Sequence, residues 1–423
     1  MCRRDPLESG RESSIGPVSD PAPQTPAAAP TATLPAPSVS ELKALLGGAV
    51  DVLPGGRLAE QLESGRGLRV KFGVDPTSPD IHLGHTVVLT RLRAFQDLGH
   101  TVVLIIGDHT ARIGDPSGRS ALRPQLDPAE IEANTLTYTD QAFRVLDRER
   151  TELRRNSEWL SMDSEGFIDL MRRFTVARLL ERDDFARRIE RSEPISMLEL
   201  LYPIMQGYDS VAVQADVELG GSDQKFNLLF GRTVQESFGM APQSILTLPI
   251  LPGTDGVRKM SKSYGNYVGV TDPPSEIFGR LMSIPDAVMP VYYELLLGEG
   301  LDTSIHPGEA KRSLARRLTD RFAGAGSGAN AESEFDRLHR HGGLPDAVDV
   351  FAIGPAEGEV HLPAVLADAF AISRSEARRA LGSGAVRLDG EVLEADRLDI
   401  AAAELDGRVI GFGKRRHARL EAS

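Results

Sequence analysis

Residues 68–108 read LRVKFGVDPTSPDIHLGHTVVLTRLRAFQDLGHTVVLIIGD, and their periodicity decides the fold. Leu68, Val70, Phe72 and Val74 alternate with polar or small residues, the two-residue period of a strand with unlike faces. Between His85 and Leu98 the period lengthens. Val88, Leu92, Phe95 and Leu98 recur at helical spacing, and Gly99 sits where it can end the helix. Val102 to Ile106 is apolar without alternation, as expected of a parallel strand covered on both faces, with Gly107 and Asp108 at its carboxyl end. Strand, helix, strand in this order predicts an α/β fold built on a doubly wound parallel sheet, because parallel neighbours need a crossover of this kind.

Upstream, residues 1–38 are crowded with Pro, Ala, Ser and Thr and almost lack large apolar side chains, so they are expected to remain a disordered extension. Residues 39–272 are assigned to the α/β domain, interrupted at about 127–208 by a charged, mostly helical insertion. Phe174 to Ile189 is its clearest helix, and short strands are expected to resume near Val211 to Leu219. Residues 273–350 return to helical patterns, with Phe322 to Gly328 read as a Gly/Ala/Ser-rich surface loop, and 355–423 read as a separate small α+β module.

At 423 residues and 41% apolar content the chain can bury two or three cores. Cys2 is its only cysteine, which excludes an internal disulfide framework or a cysteine-held metal and fits a reducing cytoplasm. No run approaches the roughly 20 apolar residues of a membrane span. The Arg3-Arg4 pair has no apolar region behind it, so neither export nor membrane insertion is expected. A formal net charge of -13 argues against a protein that coats nucleic acid indiscriminately, so a basic surface would have to be local.

The chemistry-bearing residues fall in short motifs. His82-Leu83-Gly84-His85 lies where the first strand's turn enters the helix, so two imidazoles meet the free N–H groups of a helix start, a corner suited to phosphate. Ordinary turn and capping residues can read the same way. Lys259-Met260-Ser261-Lys262-Ser263 lies in a polar loop with Gly253, Gly256 and Gly265, where mobile ammonium groups can close on a polyphosphate; a solvated lysine loop is the plain alternative. Tyr202, Gln206 and Asp209, spaced i, i+4 and i+7, share one helical face and can line a pocket or form a structural hydrogen-bond network.

HLGH, with KMSKS about 175 residues later, resembles the signature pair of class I aminoacyl-tRNA synthetases. The resemblance sharpens at Asp75-Pro76-Thr77, Gly114-Asp115-Pro116-Ser117-Gly118 and Gly220-Gly221-Ser222-Asp223-Gln224, which with the Tyr202 face are similar to the motifs of tyrosyl-tRNA synthetases across about residues 40 to 285. It implies a Rossmann-like catalytic domain followed by an anticodon-side helical domain. It also implies ligation of tyrosine to tRNA(Tyr) through an enzyme-bound tyrosyl adenylate, with ATP as substrate carrying Mg2+ and no protein-held metal or organic cofactor.

By this resemblance Asp209 accepts a hydrogen bond from the substrate phenol, Tyr202, Gln206 and Asp115 hold its α-ammonium group, and Asp75 and Gln224 complete the pocket. Gly220 and Asp223 face the ribose, and Gly73 lets the nucleotide approach the first strand; both glycines also read as simple turn formers. His82 and His85 meet the phosphoryl oxygens, and Lys259 and Lys262, with Met260 and Ser261 between them, close on the departing pyrophosphate, assisted by Arg119 and Arg123. Lys71 occupies the position where the commonest branch of the family has a second tyrosine. Strand alternation puts it on the face of Gly73 and Asp75, as phenol partner or as counter-ion for Asp209 or Asp75.

Within the last module, Ser373-Arg374-Ser375-Glu376-Ala377-Arg378-Arg379, Gly384-Ala385-Val386-Arg387-Leu388-Asp389-Gly390 and Gly413-Lys414-Arg415-Arg416 resemble the RNA-binding domain of ribosomal protein S-four. Arg374, Arg378, Lys414, Arg415 and Arg416 are then the candidates to meet phosphate, or else a solvated helix face. The resemblance further implies a homodimer. A tryptophanyl-tRNA synthetase, a smaller adenylating enzyme with HxGH, and a catalytically idle relative that binds RNA stay as alternatives. The GGSDQ run and Asp209 speak against the first, the C-terminal module against the second, and intact signatures against the third.

Overall fold

The computed structural model describes residues 33–77, 80–115, 127–339, 349–355, 357–394, 396–413 and 416–422. These divide into two compact units. One takes the described residues of 1–79 and 88–249; the other takes 80–87 and those of 250–423.

The first unit is organised by a six-stranded sheet. Its strands are β1 (Asp51–Leu53), β2 (Arg69–Val74), β3 (Thr101–Ile106), β4 (Thr151–Arg155), β5 (Val217–Gly221) and β6 (Ser244–Leu248), in the spatial order β1-β6-β5-β2-β3-β4. All neighbours are parallel except β1, which caps the edge antiparallel to β6. The chain therefore winds outward from β2 to β3 and β4, then returns to β5 on the other side of β2, the doubly wound arrangement read from residues 68–108. Helix α1 (Leu83–Asp97) is the first crossover, and Gly99, at φ 91°, turns the chain into β3 in a conformation that favours glycine. Val102 to Ile106 are all fully buried, as an unalternating strand requires.

The reversal of winding has a visible consequence. β2 pairs with β3 along all six residues, but with β5 only at Val70↔Val217 and Lys71↔Glu218. Beyond that point β2 and β5 do not pair, which is the switch point at whose carboxyl ends a doubly wound sheet leaves a crevice, here flanked by Gly73 and Gly220. Helices α2 (Met197–Ala212) and α3 (Lys225–Ser237) pack closely because Gly207 has no side chain: a Cβ there would stand 2.5 Å from Val234 Cγ2.

Several sequence expectations are corrected in this unit. Residues 1–32 lie outside the described set, but the end of the expected extension is held: the Leu34 N–H donates to Gly65 O at 2.7 Å. Phe174 to Ile189 is two short helices, Val176–Leu179 and Asp183–Glu190, because Arg182 leaves the helix to make a buried ion pair with Asp184 at 2.6 Å. Val211 belongs to α2 and not to a strand; Gln214, at φ 52°, ends the helix, and the strand begins at Val217.

In the second unit, α4 (Pro274–Met282), α5 (Pro307–Ala323) and α6 (Ser327–His339) form the helical part. Only Gly324 to Gly326 interrupt α5 and α6, a shorter break than the expected loop. Arg312 ties the two helices through Glu332 at 2.9 Å and Asp336 at 2.6 Å.

The last module has β7 (Asp349–Ala352), β8 (Glu359–His361), β9 (Val386–Leu388), β10 (Glu391–Val392), β11 (Asp399–Ala401), β12 (Val409–Phe412) and β13 (Arg416–Glu421), with α7 (Leu362–Phe370) and α8 (Arg374–Gly382). Five strands make one sheet in the order β10-β9-β12-β13-β7, and β11 pairs with β8. The sheet reaches back to Asp349, ahead of the expected start at 355. Leu362, Leu366, Leu381, Ile410 and Leu420 are among its core, so this small α+β body buries apolar surface of its own.

Candidate active site

In the first unit the polar face of α2 meets the crevice. The Tyr202 hydroxyl donates to Asp75 Oδ2 at 2.8 Å, and Thr110 Oγ1 donates to Asp75 Oδ1 at 2.7 Å. Gln224 Nε2 donates to Asp115 Oδ2 at 2.7 Å. Asp209, buried, accepts from Trp159 Nε1 at 2.8 Å. Burial pushes the Tyr202 phenol well above its ordinary value, and the carboxylates of Asp75, Asp115 and Asp209 push it the same way, so all three carboxylates bear on one hydroxyl. Lys71, Asp75, Asp115, Tyr202, Gln206, Asp209 and Gln224 are thus linked in a single network.

Lys71 lies beneath this network and is fully buried. Its ammonium donates to Gln206 O at 2.8 Å and to Ser210 Oγ at 2.7 Å, and pairs with Glu218 Oε1 at 2.8 Å. An ammonium has three donors, and all three are engaged. Its ion-pair partner is Glu218, a residue the sequence analysis did not single out. Burial pushes Asp209 up to about 7; the Lys71 ammonium and the bonds from Trp159 and Asn156 pull it back, and the Glu218 carboxylate adds to the rise.

At the crevice itself, Gly73, next to last in β2, has nothing within 4 Å of where a Cβ would project, and Gly220, on β5, has Gln224 and Leu228 at 3.1 Å. Asp223 follows in the turn after β5. A flat ligand can lie against Gly73 where any side chain would intrude.

The second unit carries the other signatures. Residues 81–83 pair with 268–270: Leu83 N donates to Val268 O at 2.9 Å, Val270 N to Ile81 O at 3.0 Å, and His82 bridges Gly269. The His82 and His85 rings lie 3.9 Å apart. Gly84 makes this possible, since a Cβ there would sit 3.0 Å from the His82 ring. The His82 backbone N–H donates to His85 Nδ1 at 3.2 Å, which leaves the ring proton of a neutral His85 on Nε2. Burial lowers His85 to about 4; burial, then the neighbouring His85, lowers His82 to about 2. Both imidazoles are neutral at pH 7 and offer hydrogen bonds, not charge.

The charge is in the lysine loop. Asn266, buried, accepts from Ser261 N at 2.9 Å and donates to Asp255 Oδ2 at 2.9 Å and Lys259 O at 3.1 Å, so one amide fixes the loop's base. Asp255 also accepts from Val257 N and Arg258 N at 3.0 Å each, and these bonds hold its carboxyl at about 2. Met260 is buried, while Lys259 and Lys262 are exposed. Lys262 makes an ion pair with Asp80.

In the last module Arg374 and Arg378 stand exposed on α8, and Arg416 lies exposed with its guanidinium 5.2 Å from the Phe370 ring and 5.3 Å from the Phe412 ring. Lys414, Arg415, Arg119 and Arg123 lie outside the described residues.

Among the described residues no group of three or more His, Cys, Asp or Glu is grouped to hold a metal ion, and no helix is long and apolar enough to cross a membrane. Beyond Glu218, the residues missed were Ser210, Trp159, Asn156, Asp80 and Asn266. The available signal for Glu218 was a carboxylate inside the otherwise apolar stretch Val217 to Leu219, but its pairing opposite Lys71 depends on register, which the sequence does not display.

The family described as tRNA synthetases class I (W and Y) matches residues 63–338. A protein of Geobacter sulfurreducens named tyrosine–tRNA ligase is 47% identical over 401 residues, 90% of this chain and 99% of that one. A Thermotoga maritima protein of the same name is 47% identical over 90% of this chain and 97% of its own. Among solved structures, tyrosyl-tRNA synthetase of Archaeoglobus fulgidus complexed with L-tyrosine superposes with a TM-score of 0.57 at 22% identity, over 69% of this chain and 98% of that one, a likeness of fold.

Proposed function

We propose a division of labour between the two clusters, starting from the fact that this chain belongs to the class I tRNA synthetases of the tryptophan and tyrosine group. Its reaction is the ATP-dependent ligation of tyrosine to tRNA(Tyr), giving tyrosyl-tRNA, AMP and diphosphate. In our reading the first unit selects tyrosine: Asp209 accepts the phenol hydrogen, Tyr202, Gln206 and Asp115 hold the α-ammonium group, and Asp75 and Gln224 brace them. Gly73, Gly220 and Asp223 receive the nucleoside.

The substrate carboxylate, ionised at neutral pH, attacks the α-phosphorus in line. The new carboxyl–phosphorus bond forms as the bond to pyrophosphate breaks, and no general base is needed. The neutral imidazoles of His82 and His85 donate hydrogen bonds to the phosphoryl oxygens, and Lys259 and Lys262, on a loop carrying Met260 and Ser261, neutralise the leaving group. Magnesium arrives with ATP as substrate. A ribose hydroxyl of the tRNA end then attacks the adenylate carbonyl and releases AMP. Arg374, Arg378, Lys414, Arg415 and Arg416 serve phosphate contacts to that RNA.

We take residues 39–272 as the catalytic domain, 273–339 as the anticodon-side domain and 349–423 as the RNA-binding module, in a cytoplasmic homodimer. Ile168, Val176, Ile189 and Met197, all at least half exposed on the helical insertion, support association of two copies. The observation that carries the reading is the single helical face of α2, where Tyr202 donates to Asp75, Gln206 is held by Lys71 and Asp209 accepts from Trp159, with Tyr202, Lys71 and Asp209 buried. The test is ATP–pyrophosphate exchange with each of the twenty amino acids. Exchange with tyrosine alone is expected; exchange driven by tryptophan, or by none, overturns it.

A further inference from the structure

Behind the amino-acid pocket, Lys71 and Glu218 form an ion pair in which both side chains are essentially without solvent. Two buried charges in facing strands are costly to desolvate and are retained only where geometry and further hydrogen bonds compensate them. Here they do. Glu218 Oε1 also accepts from Gln206 Nε2 at 3.2 Å, Glu218 Oε2 accepts from Ser210 Oγ at 3.3 Å and from Gln243 Nε2, and Lys71 holds the Gln206 carbonyl and Ser210. Both ends of Gln206, its backbone oxygen and its side-chain amide, are therefore gripped by the pair. Gln206 and Ser210 flank Asp209 on the same helix. With all its donors engaged, the ammonium has none left for a substrate hydroxyl.

We propose that Lys71 and Glu218 act as a positioning couple for tyrosine selection: they touch no substrate, but fix Gln206 and set the field in which Asp209 meets the phenol. This rests on the reading of Asp209 as the phenol acceptor. The groups facing Asp209 are Lys71 from β2, Glu218 from β5, Asn156 and Trp159 from the segment after β4, and Tyr202 from its own helix. Only Lys71 and Glu218 among them carry opposite full charges, so removing each moves Asp209 in an opposite sense. Taking away the negative neighbour favours the Asp209 carboxylate; taking away the positive one disfavours it.

The experiment is tyrosine-dependent ATP–pyrophosphate exchange from pH 5.5 to 8.5 for the wild type, E218Q and K71M/E218Q. E218Q keeps the shape of the side chain, Gln243 Oε1, buried without a partner, can receive the new amide if Gln243 turns over, and Asp209 is left as the counter-charge of the Lys71 ammonium; a melting curve checks that the variant is folded. The double variant leaves neither buried charge behind. In E218Q the acid limb of kcat/KM for tyrosine moves to lower pH by about one unit. In K71M/E218Q it moves back upward relative to E218Q, and the KM for tyrosine rises by about tenfold, with that for ATP unchanged, because Gln206 has lost its anchor. Limbs that stay put, or move the same way in both steps, overturn the couple while leaving the site reading intact. A wild type without tyrosine-dependent exchange overturns the site reading, and this inference with it.

Discussion

The pocket of the first unit and the corner of the second handle charge in opposite ways. Around α2 the charges are buried and matched: Lys71 with Glu218, and Asp209 among hydrogen-bond donors. At HLGH and KMSKS the imidazoles are half-buried and neutral, and the charges, on Lys259 and Lys262, stand exposed on a loop. Selecting one side chain from twenty requires polar groups that are expensive to leave unpaired, which only burial provides. Meeting a leaving group whose charge appears late requires cations that can move, which burial forbids.

If the contrast holds, the largest loss comes from the exposed lysines. Lys262→Ala and Lys259→Ala each lower the rate of adenylate formation by about a hundredfold or more, the usual cost of one transition-state charge partner. Thermal stability and the KM for tyrosine stay unchanged. Single-turnover adenylate formation beside a melting curve checks this, and a rise in tyrosine KM instead would break the division between the clusters.

Next comes Asp209→Asn. Tyrosine kcat/KM falls by about 10- to 100-fold, the range for a hydrogen bond to a charged group, while the value for phenylalanine does not fall. The wild-type activity declines as pH drops through about 7, where burial holds the Asp209 carboxyl, and the variant lacks that limb. Stability moves the other way. A carboxyl whose folded value lies above its unfolded one stabilises the fold when protonated, and that contribution is lost as pH rises toward and through 7. The variant is therefore more stable than wild type at pH 8, its melting point rising by about 2–4 °C for each kcal/mol recovered.

The histidine corner gives the opposite sign. His85, lowered to about 4 by burial, stabilises the fold fully above its unfolded value and loses that contribution as pH falls toward 4. Urea melts at pH 7.5 and 4.5 are expected to show wild type losing about 1 kcal/mol more than His85→Gln over that interval. Equal losses would remove the neutral-imidazole half of the comparison.

Much of this was legible before any coordinates. An unalternating run such as Val102 to Ile106 has one comfortable environment, and a face at i, i+4 and i+7 survives any packing that leaves the helix intact. The failures share a cause. Arg182, buried against Asn227 of α3, interrupts the expected helix over Phe174 to Ile189, and Glu218 meets Lys71 through register; both are properties of which element lies beside which, not of local pattern. Lys71 was found because it stood in a motif position, but its partner was not, because the partner's own neighbours in sequence are ordinary.

The smallest effect expected is at Asp80. Its pair with Lys262 is partly exposed on both sides, and such pairs are worth about 0–1 kcal/mol, so Asp80→Asn changes the KM for ATP by less than about fivefold. The direction is informative: the Asp80 carboxylate offsets part of the Lys262 charge and draws the ammonium to itself, so removing it lowers the KM for ATP and leaves that for tyrosine alone. Steady-state exchange at varied ATP measures it. Salt weakens an exposed pair, so the gap between variant and wild type narrows at high ionic strength, whereas a gap that persists would mean the loop's lysine is held as firmly as the pocket's.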